Sequence, residues 1–271
     1  MLCQLQSIEN CPVVYVEMIL RTPRRYFAVL NIIRSSSRGV HLIHSTQHCG
    51  VQVSCVAPSP SDIRNAILTP TLEDIDMAQS YYQHSSSARQ TFLAGRCALR
   101  HAVTTVHNIE LPCIPRNHYG VPIVPVPASL SHKNDLAVGA ALISSDNFTN
   151  TTVGVDIEVV SRPYSSKQLN SFQSHILTSE ERRALSSANA LSTSLLIFSI
   201  KEAVYKALFP HYQRYIGFKE VVVVLSDQSA NCGSAEVRFL SENKIYFRGV
   251  CEVHWQKFMT DYWISVVKYV L

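Results

Sequence analysis

The sequence predicts an α+β protein on three observations. Two long stretches have helical character, one from about Ala88 to His107 and one from near Leu191 that ends in Phe198–Leu208 (FSIKEAVYKAL). Shorter apolar or alternating stretches read as strands. Four of these strands follow one another after the second helix, which groups strands apart from helices.

In chain order, residues 1–48 differ from the rest. From Met18 to Ser61 there is no Asp or Glu but there are five arginines, with a serine run at Ser35–Ser37. His41, His44 and His48 have a spacing that could hint at a metal site, but no second ligand group accompanies them, so the segment is expected to be an irregular extension. Gly50–Ala57 alternates and reads as a strand ended by Pro58 and Pro60. The first helix carries Arg89, Arg96 and Arg100 on one flank, where three like charges repel unless an anion neutralises them. A solvated basic face is the alternative. Five prolines make 112–127 extended, with a turn at Asn117–Gly120.

Ser129–His132 (SLSH) precedes Leu136–Ile143, a buried-strand pattern, and His132 stands at its entrance. A polar linker, Asp146–Thr152, leads into Val153–Glu158 (VGVDIE). In a strand, Asp156 and Glu158 project from one face while Val153, Val155 and Ile157 take the other, towards the core. Two carboxylates so placed repel each other unless a cation joins them, and their separation suits Mg²⁺. Thr178–Glu181 is a capping-box signature opening a short helix.

On the helix that follows, Leu196, Ile200, Val204 and Leu208 form an apolar stripe, with Ala203 and Ala207 beside them. Phe198, Glu202 and Lys206 form a second series, with Lys201 adjacent. A carboxylate flanked by lysines could hold a metal and a phosphate together, or be no more than a solvated i,i+4 pair. Lys219–Leu225, Ala235–Leu240, Lys244–Val250 and Tyr262–Tyr269 complete the strands.

The chain has 271 residues, 46% hydrophobic and 16% charged, enough for a sizeable core. Taking the five N-terminal arginines from 24 basic residues leaves 19 against 20 acidic, which argues against a general nucleic-acid binder. Eight cysteines without a CxxC pair read as reduced thiols of a cytoplasmic protein. No apolar run approaches the ~18 residues needed to span a membrane.

SLSH, VGVDIE and Phe198–Lys206 (FSIKEAVYK), in this order and at these separations, resemble the three signature motifs of the 4'-phosphopantetheinyl transferases. The likeness covers roughly Cys49 to Val270 and is greatest to the larger, monomeric surfactin-synthetase and enterobactin-synthase activating type. Phe92–Arg100 (FLAGRCALR) and Val253–Gln256 (VHWQ) resemble the enterobactin branch. Lys133 and Val124 depart from that branch, which usually has cysteine and tryptophan there.

The resemblance implies two pseudo-symmetric α/β halves, 49–147 and 148–271, after a divergent extension 1–48. It implies transfer of 4'-phosphopantetheine from coenzyme A to a serine of an apo acyl, peptidyl or aryl carrier protein in siderophore or secondary-metabolite biosynthesis. Asp156, Glu158 and Glu202 would hold Mg²⁺ (or Mn²⁺) on the pyrophosphate, and Lys201 and Lys206 would balance its charge. Glu202 would be the general base. Ser131 and His132, aided by Arg89 and Arg96, would take the 3'-phosphate, and Arg116 and the backbone of Gly120 would lie near adenine. Two other classes are a metal-dependent hydrolase of nucleotide pyrophosphates or coenzyme A, and a coenzyme A binder without catalysis.

Overall fold

A computed structural model describes the backbone of residues 28–36, 39–48, 51–56, 70–134, 136–143, 149–226, 231–240 and 247–271, with side chains from 70 onward. Pro58 and Pro60 and the first part of the linker, 146–148, lie outside these residues. The chain divides into two compact units, Met1–Asp146 and Asn147–Leu271. Each combines helices with an antiparallel sheet, so the fold is α+β.

The first unit contains β1 (Ala28–Ser36), β2 (Gly39–His48), β3 (Val51–Val56), α1 (Leu72–Tyr81), α2 (Ser86–His107), β4 (Ala128–Lys133) and β5 (Leu136–Leu142). Its strands form one sheet in the order β1-β2-β3-β5-β4, with β1 also pairing β5. The expectation of an irregular extension before residue 49 is therefore corrected for β1 and β2. Ala28–Arg34 runs antiparallel to Leu142–Leu136, so this segment supplies backbone partners to the central strand of the unit. The alternation in 28–48 is obscured by arginine, serine and histidine, which hid both strands.

Every residue of β5 is buried, and α2 crosses it. The crossing depends on Gly139, where an added Cβ would stand 2.4 Å from the carbonyl of Ala98. Helix α2 starts at Ser85, whose hydroxyl accepts the Ala88 amide, and stops at Asn108 in the left-handed conformation at φ 51°.

The second unit contains β6 (Thr151–Val159), α3 (Ser166–Ile176), α4 (Ser179–Ala184), α5 (Ala190–Tyr212), β7 (Val221–Ser226), β8 (Cys232–Phe239), β9 (Val250–Phe258) and β10 (Tyr262–Val270). Its sheet order is β6-β10-β9-β8-β7. The strand expected at Lys244–Val250 lies instead at Val250–Phe258, and 244–246 fall outside the described residues. Val253–Gln256 alternates apolar and polar residues as a strand does, and Val253, Trp255 and Phe258 are buried. The stripe Leu196, Ile200, Val204, Leu208 is buried as its period requires, and it packs with Trp255, Trp263, Val267 and Tyr269 from the sheet.

One orientation differs from the sequence reading. Helix α5 covers the face of β6 that carries Gly154 and Asp156, not the face of Val153 and Ile157. A Cβ on Gly154 would come within 1.9 Å of the Ala203 carbonyl oxygen, so glycine is what admits the helix. The valine face is buried as well, with Val153, Val155 and Ile157 at most 2% exposed.

Candidate functional site

The first unit holds a cavity of about 550 Å³, lined in part by Tyr82, Phe92, Arg96, Arg116, His132 and Lys133. Arg96 projects from α2 and is 2% exposed, yet its Nε and Nη2 have no hydrogen-bond partner among the described residues. Its guanidinium carbon lies 4.5 Å from the centroid of the Phe92 ring, and that of Arg116 lies 4.7 Å from the same centroid. Arg116 also donates to the Tyr82 hydroxyl at 3.1 Å. Burial, then the nearby Arg116, lowers Arg96 from the usual guanidinium range to about 10. A buried cation with unmet donors beside a second cation calls for an anion, and a phosphate would satisfy both.

The three arginines of α2 have three different roles. Arg89 Nη1 donates to the carbonyls of Tyr82 and Gln83, both at 2.9 Å, and clamps the α1–α2 turn. Arg100 pairs with the fully buried Asp74 and donates to the Leu111 carbonyl at 2.7 Å. Only Arg96 lines the cavity, so the flank expected to act as one basic surface is divided. Strand alternation puts Leu130 and His132 on the cavity side and the buried Ser131 side chain on the other. Gly120 occupies the turn expected of it, with φ +82° and its amide on the Asn117 carbonyl, and is not part of the lining.

In the second unit, Asp156 and Glu158 are 6% and 2% exposed. Lys206 Nζ, from α5, sits 2.8 Å from Asp156 Oδ1 and donates to the Val155 carbonyl at 3.0 Å. Glu158 Oε1 accepts the Val159 amide at 2.8 Å, and Oε2 lies 2.5 Å from Arg162 Nη2. Glu202 stands half-buried on α5, one turn before Lys206. Sequence reading missed Arg162; its only signal was a cation four residues after Glu158.

Lys201 does not join this group. Its ammonium donates to the Ile176 carbonyl at 2.9 Å, Glu181 Oε2 at 2.7 Å and the Phe218 carbonyl at 2.7 Å. Those three contacts use all three of its donors. Burial lowers its pKa and Glu181 opposes that shift. The reason is helical: one residue turns the side chain about 100° from Glu202, into the core.

A hard divalent cation fits the donor chemistry of the carboxylate group. Asp156, Glu158 and Glu202 offer oxygens, and the buried hydroxyls of Ser199 on α5 and Ser265, opposite Asp156 on β10, lack partners among the described residues. As the side chains stand, no three His, Cys, Asp or Glu groups among the described residues are gathered for a metal; Asp156 turns to Lys206 and Glu158 to Arg162.

Residues 152–267 match the family model described as the 4'-phosphopantetheinyl transferase superfamily. The matched stretch contains the carboxylates, Lys201 and Lys206, and begins after the cavity residues. None of the curated proteins matches the chain. No helix among the described residues is long and apolar enough to cross a membrane.

Proposed function

We propose that the chain transfers the 4'-phosphopantetheine group of coenzyme A to a serine of an apo acyl, peptidyl or aryl carrier protein, releasing 3',5'-ADP. The observation that carries this reading is the buried pair Asp156 and Glu158, with Lys206 on α5 against it, inside the segment that matches the superfamily. Asp156, Glu158 and Glu202 would hold Mg²⁺, which supplies charge neutralisation at the pyrophosphate when bound. Lys206 is the cation for the remaining phosphoryl charge. Glu202 takes the proton of the carrier serine as its oxygen bonds to the β-phosphorus. The anhydride bond breaks on the opposite side, and the electron pair leaves with 3',5'-ADP.

The cavity of Arg96, Arg116 and His132 is suited to a phosphate monoester, and in this reading it takes the 3'-phosphate of coenzyme A. FLAGRCALR and VHWQ support the enterobactin branch as the proposed subtype; Lys133, which lines the cavity, and Val124 depart from it. A monomeric, cytoplasmic enzyme is part of the same proposal. Free thiols at Cys113 and Cys251 agree with a reducing compartment.

Intact-protein mass spectrometry of several apo carriers incubated with coenzyme A and Mg²⁺ tests this. One added phosphopantetheine per carrier is the expected result. Cleavage of coenzyme A with unmodified carriers would assign the hydrolase chemistry instead, and binding without either would leave a coenzyme A binder.

A further inference from the structure

The role of Lys201 within the FSIKEAVYK motif is set by what surrounds it. The Lys201 and Glu181 side chains are each 1% exposed, and their charged ends lie 2.7 Å apart. Glu181 Oε2 also accepts the Thr178 amide at 2.7 Å, and Oε1 accepts the Val223 amide at 2.8 Å. The other two donors of Lys201 end on Ile176, the last residue of α3, and on Phe218, in the 3₁₀ turn before β7. One buried ion pair thus joins α3, α4, the 3₁₀ turn and β7 to α5, one residue ahead of Glu202. A buried pair of this kind is a poor source of net stability but fixes geometry, because any rotation of α5 would strand a charge in the core.

We infer that Glu181 and Lys201 are positioning residues that set the rotation of α5 and thereby hold Lys206 against Asp156, with Glu202 one turn before it. This rests on the transferase reading of the Asp156 site. It assigns a function to Glu181, which the capping box alone would leave as a helix start, and moves Lys201 away from the phosphate.

The test compares Glu181→Gln, Lys201→Met and the double variant in the full chain. Three readouts apply: kcat and KM for coenzyme A on an apo carrier, Mn²⁺ binding by electron paramagnetic resonance, and thermal melts. Each single variant should lower kcat by about ten- to a hundredfold, the scale of a small misplacement of catalytic groups. KM for coenzyme A should change less than about threefold, and Mn²⁺ should bind more weakly. Because each single change leaves a buried charge unpaired, the double variant should melt above either single and lose no more kcat than the worse one.

Lys201→Met raising KM strongly while Glu181→Gln does not would put Lys201 on the ligand and overturn the inference. Wild-type kcat and Mn²⁺ affinity in folded single variants would reduce the pair to scaffold and overturn it too. Where a single variant does not fold, Glu181→Asp and Lys201→Arg take its place, each expected to lower kcat without a matching change in KM. A wild-type chain that neither modifies carriers nor binds Mn²⁺ would defeat the transferase reading itself, which is a separate outcome.

Discussion

The two units solve one packing problem in the same way and then diverge in charge. In each, a helix of 22 or 23 residues lies across an antiparallel sheet and meets a strand at a glycine, Gly139 under α2 and Gly154 under α5. Beside the crossing in the first unit, α2 and neighbouring segments present Arg96, Arg116 and His132 around Phe92. Beside the crossing in the second, β6 presents Asp156 and Glu158, each met by a cation. The scaffold therefore does not choose the ligand; the side chains next to the crossing do. In the proposed function, one unit receives an anion and the other assembles oxygen ligands with a lysine near them.

The largest expected effect comes from removing what only the first unit takes from residues before 49. A chain starting at Cys49 lacks β1 and β2, two of the five strands of that sheet. It should lose its cooperative thermal transition and its activity, read by circular dichroism and carrier modification. A folded, active chain from Cys49 would show that β1 and β2 are dispensable and the sheets less alike than described.

The crossing glycines come next. Gly154→Ala should cost about 3 kcal/mol or more, the upper end of overpacking, since its Cβ would meet a helix carbonyl oxygen at 1.9 Å. Gly139→Ala should cost about the same or somewhat less, with 2.4 Å available. Denaturant titration measures both, and a near-neutral substitution at either position would break the parallel.

Much of this parallel was legible in the sequence. The apolar stripe of α5 at four-residue spacing, the buried run of β5 and the i,i+2 carboxylates of β6 each follow from a single period, and the structure keeps those elements. What was not legible depends on contacts distant in sequence. Helix α1 buries only Asp74 and Ala78 and so leaves no stripe to detect. The partner of Lys201 is Glu181, twenty residues earlier, and the face of β6 that α5 covers is decided by a glycine that hydropathy reading passes over.

A medium effect tests the anion side. Arg96→Ala and His132→Ala should each weaken coenzyme A binding by about one to two decades, the ~1.5–3 kcal/mol of a charge-assisted hydrogen bond. Dephospho-coenzyme A should be affected far less. Equal losses for both ligands in calorimetry would assign the pair to packing.

The smallest effect concerns acid stability. Burial lowers the pKa of His101 in the first unit and of His211 and His254 in the second. The unfolded chain then binds more protons than the folded one, so stability is full above about pH 6.5 and declines as pH falls below it. Melts from pH 7.5 to 5 should show that decline, and replacing His254 with Gln should flatten it. A decline unchanged by that substitution would place its origin elsewhere.

The claim that the second unit carries the chemistry is tested most directly by the mass of an apo carrier after incubation with coenzyme A and Mg²⁺, using wild-type protein, Glu202→Gln and Asp156→Asn. The wild type should add one phosphopantetheine. Glu202→Gln should slow this at least ~10²-fold, the lower range for loss of a general base, and raised Mg²⁺ should not restore it. Asp156→Asn should fall similarly but recover in part at high Mg²⁺, because its part is ligation. Full activity in both variants, or carriers that stay unmodified by the wild type at saturating metal, would contradict the account.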